Sequence, residues 1–150
     1  MRPSERTPDQ LRAVTLETGV NRYAEGSCLV SFGHTKVLVT ASITGAWVAM
    51  ATALGYLRAE EVLKSDPILD QVAAVSCGIF ADTPVLDLDY EEDSNAEADG
   101  NFVLTGSGTI VEIQATGEKR GFSRAEFDRL FELAEIGCAE LFALQRAALG

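Results

Sequence analysis

An α+β fold, with helices packed on a mainly antiparallel sheet, is what this 150-residue chain predicts. Two features carry that reading. Strand-like runs come in adjacent pairs joined by short turns, the pattern of hairpins rather than of parallel crossovers. Beside those pairs stand two longer stretches whose apolar residues recur at three- and four-residue spacing, which marks helices. The length is one domain's worth and no linker or low-complexity stretch interrupts it, so a single domain over 1–150 is expected.

Taken in order, residues 1–12 are polar, carry Pro3 and Pro8, and read as an arm. Val14 to Glu17 forms a first short strand. Ser27–Phe32 and Lys36–Ala41 make a hairpin around Gly33-His34-Thr35. Thr44 to Arg58 reads as a helix with an apolar stripe of Trp47, Met50, Ala51, Leu54 and Leu57, N-capped by Ser42 or Thr44. A short helical continuation runs through Glu60-Glu61-Val62-Leu63, and Asp66-Pro67 marks a turn. Val72–Ile79 and Pro84–Tyr90 are the next strands. In the second, Leu86, Leu88 and Tyr90 alternate with Val85, Asp87 and Asp89, so one face is apolar and the other largely acidic. Glu91 to Gly100 reads as an acidic loop, and Asn101–Thr105 with Ile110–Thr116 as a further hairpin. Ser123-Arg124-Ala125-Glu126 is a capping box that opens the last helix. Phe127, Leu130, Phe131, Ala134, Cys138, Leu141 and Phe142 form its buried stripe.

Apolar residues make up 47% of the chain and charged residues 23%, as in ordinary soluble globular proteins. Cys28, Cys77 and Cys138 form no metal-ligand pattern and sit in apolar surroundings, as small core residues in a reducing compartment do. No stretch is apolar enough to cross a membrane, and the start lacks the apolar core of a secretory signal, so a cytoplasmic protein is expected. The net charge of −11, with 12 Lys and Arg residues, opposes binding to a polyanion. Arg2, Arg6, Arg12 and Arg22 cluster at the start, either as a contact surface for RNA or as a solubilising basic tail.

One segment carries a chemical signal. Asp87 to Asp99 places seven carboxylates in thirteen residues. Such crowding raises each group's proton affinity, and a hard divalent cation such as Mg²⁺ relieves it through oxygen ligands. A solvated acidic loop is the plainer reading of the same residues. His34, the sole histidine, sits in a hairpin turn without an adjacent nucleophile. Gly106-Ser107-Gly108 suits a turn rather than a nucleotide cradle.

Several of these segments together resemble the ribonuclease PH family. Met1-Arg2-Pro3-Ser4-Glu5-Arg6-Thr7-Pro8-Asp9-Gln10-Leu11-Arg12 is similar to the family's opening, and Glu25–Leu38 to its first hairpin. Thr40-Ala41-Ser42-Ile43-Thr44-Gly45-Ala46-Trp47, Asp66–Ser76, Pro84–Asp99, Thr105-Gly106-Ser107-Gly108 and Leu141–Arg146 are similar to central and later family segments. The resemblance implies a fold of βαβα units like the second domain of a small-subunit ribosomal protein. It implies phosphate-dependent 3′-to-5′ exoribonuclease chemistry at transfer-RNA ends, with inorganic phosphate as co-substrate and a nucleoside diphosphate released (a nucleotidyltransferase reaction). By matching motif, Asp93 and Asp99 stand where the family has its two metal-associated catalytic aspartates. Six residues apart, they are rotated by about 240° on a helix, so convergence needs an irregular turn.

The departures are as informative. The long family segment between the first hairpin and the Thr-Ala-Ser-Ile-Thr-Gly-Ala-Trp motif is absent, and with it one phosphate-binding arginine. A second stands directly before Thr-Ala-Ser in the family; here that place holds Val39. Thr40 and Ser42 remain as weaker phosphate contacts. The chain thus reads as a shortened form, natural or engineered, in which residues 1–39 resemble the N-terminal strands and 40–150 the C-terminal half. One βαβα unit is retained, phosphorolysis is expected to be lost, and the uncovered face predicts a homo-oligomer, a dimer being favoured. An active enzyme acting on an RNA 3′ end, and a metal- or RNA-binding module without catalysis, are the alternatives.

Overall fold

The structure, a computed structural model, describes residues 2–20, 28–33, 35–38 and 43–150. The element order is β1 (Val14–Thr18), β2 (Cys28–Phe32), β3 (Thr35–Leu38), α1 (Ile43–Ala59), β4 (Val72–Phe80), β5 (Thr83–Leu86), α2 (Tyr90–Asn95), β6 (Ala98–Thr105), β7 (Ile110–Thr116) and α3 (Arg124–Leu149). The α+β class and the antiparallel hairpins are as the sequence reads. The strands fall into two sheets, one ordered β1-β2-β3 and the other β5-β4-β6-β7. The chain divides into two compact units. The first joins the arm up to Arg12 to Ala74–Glu140; the second joins the described residues of Ala13–Ala73 to Leu141–Gly150. The expected seam between 39 and 40 lies outside the described residues.

In the second unit, β1 pairs with β2 from Val14↔Phe32 to Thr18↔Cys28, and β2 with β3 from Leu29↔Leu38 to Phe32↔Thr35. Gly33 takes a φ of +58°, the left-handed conformation that the tight turn needs and that glycine adopts without a Cβ penalty. Cys28, Val30, Trp47, Val48 and Ala51 form the core, with Leu16, Ile68, Val72 and Ala148 against them. The buried face of α1 is therefore Thr44, Trp47, Val48 and Ala51, whereas Met50, expected inside, is exposed. Thr44 lies within the helix and does not cap it; Ser42 is outside the described residues. The expected helical continuation after α1 is a C-terminal cap instead. Glu61 turns left-handed (φ +57°), its N–H donates to Arg58 O and that of Val62 to Leu57 O. Gln145, fully buried on α3, donates to Thr44 O (3.0 Å) and Val72 O (2.9 Å) and accepts from Gln71 (3.0 Å).

In the first unit, β4 pairs with β5 from Cys77↔Leu86 to Phe80↔Thr83, and β6 with β7 from Asp99↔Thr116 to Leu104↔Ile110. A bulge shifts the register between Val103 and Leu104. Phe102 is fully buried beside the rings of Phe127 and Phe131, the first turns of the α3 stripe. Ser123 caps α3 as the sequence predicts: its hydroxyl accepts from the Glu126 N–H, and its own N–H donates to Glu126 at 2.6 Å. The three cysteines are free and buried. Burial pushes the Cys138 thiol up to about 12, so it packs as a small apolar group.

Candidate functional site

The acidic segment folds differently from the strand and loop expected of it. The strand predicted over Pro84–Tyr90 stops at Leu86. Asp87 takes a φ of +56°, which no strand residue adopts, and Asp89 then caps α2. Asp89 Oδ1 accepts the Glu91 and Glu92 N–H groups, while Glu92 reaches back to the Asp89 N–H at 3.0 Å. This Asp-x-x-Glu capping box was written in Asp89-Tyr90-Glu91-Glu92; the apolar alternation across Leu86, Leu88 and Tyr90 masked it.

The arm supplies the cations for this corner. Arg2 is 5% exposed and clamps Glu92 with two hydrogen bonds, Nε to Oε1 at 2.6 Å and Nη2 to Oε2 at 2.8 Å. Its remaining N–H groups donate to the carbonyls of Thr7, Gln10, Leu86 and Asp87. Arg6 reaches Asp87 at 3.2 Å and Glu92 at 3.3 Å, and Arg12 chelates Asp87 through Nε (2.9 Å) and Nη2 (2.7 Å). Burial resists ionisation of Glu92, but the Arg2 hydrogen bonds, the Asp89 N–H and the two nearby guanidiniums outweigh it and hold its carboxyl below the ordinary value. The hydrogen bonds to Asp87 raise Arg12 further. Arg2, Arg6 and Arg12, the candidate RNA contacts, are thus ion-paired within the unit; Arg22 lies outside the described residues.

Asp93 and Asp99 sit on the other side of α2. The helix ends at Asn95, Ala96 turns out with φ −57° and ψ 147°, and β6 begins at Ala98. That turn supplies the irregularity the spacing requires. Asp93 and Asp99 line one cleft of about 400 Å³ together with Ser94, Ala96, Glu118 and Lys119. Asp99 Oδ1 is buried without a hydrogen-bond partner, an orphaned carboxylate oxygen. Glu118 and Lys119 enter from the segment after β7, and no local spacing in the sequence announces them. Among the described residues no three carboxylate, imidazole or thiolate groups gather into a closed metal cage. Two carboxylates with an open side suit Mg²⁺, which keeps several waters and is held by one or two carboxylates. The donor set, with its orphaned oxygen, therefore fits such an ion. Thr40, Ser42 and His34 lie outside the described residues.

Comparison with known proteins bears on what this cleft belongs to. Residues 10–54 match the family model described as 3′ exoribonuclease family, domain 1, and residues 70–137 match domain 2 of the same family. Ribonuclease PH of Caulobacter vibrioides (strain NA1000 / CB15N) is 51% identical over 237 aligned positions that cover all of both chains. The chain belongs to the ribonuclease PH family of 3′ exoribonucleases. Ribonuclease PH of Methylobacterium nodulans is 38% identical, also over 237 positions and all of both chains. Each of these alignments runs over 237 positions, whereas this chain has 150 residues, so each spans gaps in this chain. The ribonuclease PH fold extends to more distant structures. Rice (Oryza sativa) Rrp46 superposes with a TM-score of 0.79 at 14% identity, covering 99% of each chain. A chain of the Archaeoglobus fulgidus exosome with RNA bound to the active site superposes with a TM-score of 0.66 at 16% identity, covering 95% of this chain and 91% of that one. Among the described residues no helix is long and apolar enough to cross a membrane.

Proposed function

We propose that this ribonuclease PH-family chain holds a divalent cation between Asp93 and Asp99 and has lost phosphorolysis. The supporting observations are that Asp93 and Asp99 line one cleft and that Asp99 keeps a buried oxygen without a hydrogen-bond partner. A bound Mg²⁺ would supply Lewis-acid polarisation of a phosphate ester. Asp93 and Asp99 would hold it, and the open side of the cleft would admit the phosphate end of an RNA.

Orientation of a phosphate nucleophile needs full positive charges in fixed geometry. Among the described residues the cleft lining contains one cation, Lys119, and no guanidinium. The arm arginines are held by Asp87 and Glu92, and Arg120 by Glu97 and Glu126. Hydrogen bonds to charged groups contribute about 1.5–3 kcal/mol each, so two missing arginine contacts cost about 3–6 kcal/mol, or 10²- to 10⁴-fold in rate. Ile110 and Val111 are exposed on the sheet-edge strand β7, which supports self-association as a homodimer. We place it in the cytoplasm, where thiols such as its three cysteines, none of them in a disulfide, persist reduced.

The test is incubation with a short RNA, Mg²⁺ and inorganic phosphate, with chromatography of the nucleotides released. The expected result is no nucleoside diphosphate above an Asp93→Asn control, with Mn²⁺ bound by the parent chain and not by Asp99→Asn. Phosphate-dependent release that vanishes in Asp93→Asn would restore the enzymatic reading. Sedimentation showing a monomer at tens of micromolar, on the order of a hundred times a typical dimer constant, would remove the dimer.

A further inference from the structure

We infer that Lys119 is a positioning residue for the two-aspartate cleft: it fixes the connection that sets where Asp93 lies relative to Asp99. The inference rests on the reading of that cleft as a cation site. Asp93 is on α2 and Asp99 on β6, so their relative placement depends on the three residues Asn95, Ala96 and Glu97 that end the helix and lead into the strand.

Lys119 grips that connection twice. Its ammonium donates to Asn95 O at 2.6 Å, and its backbone N–H donates to Glu97 O at 3.0 Å. Other backbone ties on the connection are Ala96 N–H to Asp93 O (3.2 Å) and Glu97 N–H to Ile79 O (2.8 Å), and its side chains add Asn95 Nδ2–H to Glu91 O (2.9 Å) and Asp82 N–H to Glu97 Oε1 (3.0 Å). Arg120, the next residue, holds the Glu97 side chain at 2.8 Å and Glu126 at 2.8 Å, which anchors the segment to the start of α3. Gly117 lets the segment fold back on itself: a Cβ there would collide with the Arg120 carbonyl. Lys119 is therefore presented from a tight, braced turn and not from a free loop. It also lines the cleft, where its ammonium satisfies a helix-terminal carbonyl instead of pairing with Asp93 or Asp99.

This geometry gives two readings of opposite sign. A lysine that acts only as a like charge repels a divalent cation, and its removal tightens binding. A lysine that acts by holding the connection loses the cleft's geometry when removed, and binding weakens. The hydrogen bonds favour the second, since the ammonium is anchored on a carbonyl of the connection and its removal frees that carbonyl as well as removing a charge.

The experiment is Mn²⁺ binding to the whole chain, followed by electron paramagnetic resonance of the free and bound ion, for the parent, Lys119→Met, Lys119→Arg and Asp99→Asn. Amide hydrogen exchange at Ala96 and Glu97 is measured on the same proteins without metal. Lys119→Met is expected to weaken Mn²⁺ binding about fivefold (about 1 kcal/mol at 1.4 kcal/mol per decade) and to speed exchange at both amides. Lys119→Arg, which keeps a donor for Asn95 O, is expected to recover most of both. Tighter Mn²⁺ binding in Lys119→Met, or unchanged exchange, would overturn the inference. If the parent binds Mn²⁺ no better than Asp99→Asn, the cation site itself fails; the exchange data then still decide whether Lys119 holds the connection.

Discussion

Arg2→Met is the most revealing single change, because it separates a structural arm from an RNA-facing one. Arg2 and Glu92 are 3% and 0% exposed at their side chains and form a two-pronged pair. Methionine keeps much of the apolar stem but leaves Glu92 with the Asp89 N–H at 3.0 Å and Arg6 at 3.3 Å. It also strips donors from the Leu86 and Asp87 carbonyls. Removing one partner of a buried pair costs about 3–5 kcal/mol, since the remaining charge is left poorly compensated. For a chain of this size that corresponds to a melting point lower by roughly 6–20 °C. Urea unfolding followed by far-UV circular dichroism should show the midpoint fall. The pH dependence has a defined sign. Glu92's folded value lies below its unfolded one, so its contribution is full above the ordinary carboxylate pKa of about 4.3 and is lost as pH falls through the folded value. In Arg2→Met burial is less fully outweighed, so the difference from the parent should narrow as pH falls from the variant's higher folded value through the parent's, which lies below the ordinary carboxylate pKa. The double variant Arg2→Met/Glu92→Leu should recover most of the loss, because an apolar pair of similar volume avoids the stranded charge. A midpoint shift worth less than about 1 kcal/mol, or a salt slope of RNA retention that falls by about one unit, would refute the structural role.

Two further outcomes follow from the same kind of accounting. Gln145→Leu removes two donors from the Thr44 and Val72 carbonyls and leaves Gln71 with the Phe142 carbonyl as an acceptor but without the Gln145 one; it should cost about 2–4 kcal/mol in urea unfolding, against about 1 kcal/mol or less if the amide were replaceable. Glu126 is held down to about 2 by Arg120 and by the Ser123 N–H and hydroxyl, so its contribution is complete above the ordinary carboxylate range and disappears as pH falls toward 2; Glu126→Gln should flatten the acid limb of a stability–pH profile in that window, with its loss of stability full at neutral pH and vanishing toward pH 2, whereas an unchanged limb would exclude the clamp.

The parts of the fold that were legible in the sequence are those where one local rule acted alone. The capping box at Ser123 and the stripe from Phe127 to Phe142 fix α3, and the Gly-bearing turns fix two hairpins. The misreadings fall where two rules competed. Leu86, Leu88 and Tyr90 alternate as a strand would, yet Asp89 and Glu92 form a cap; the cap wins because Arg2 fixes Glu92 from a distance of ninety residues that no window of the sequence reveals. Met50 lies within the predicted stripe of α1 but is exposed, because the core is built on Trp47, Val48 and Ala51 and so rotates the buried face. In the cleft, Asp93 and Asp99 were readable from the resemblance. Glu118 and Lys119 were not, because only the β6–β7 hairpin brings their segment back alongside α2.

The crowding of seven carboxylates between Asp87 and Asp99 is resolved in the structure for every one of them but Asp99. Asp87, Asp89 and Glu92 lie against the guanidiniums of Arg6, with Arg12 added for Asp87 and Arg2 for Glu92; Glu97 has Arg120. Glu91 points into solvent, where charge is screened. Asp93 is exposed as well, which leaves Asp99: it forms no ion pair among the described residues and keeps an oxygen that neither water-facing exposure nor a donor satisfies. An unsatisfied buried carboxylate oxygen is expensive, and a protein that neutralises its neighbours so completely has the means to neutralise this one. Asp99 is therefore the feature to explain, and the divalent cation we propose, shared with Asp93, would account for it without any further residue. The same arithmetic limits the site: guanidiniums committed to building the corner are withdrawn from phosphate, so the scaffold that shapes the cation cleft also argues against the reaction its family performs there.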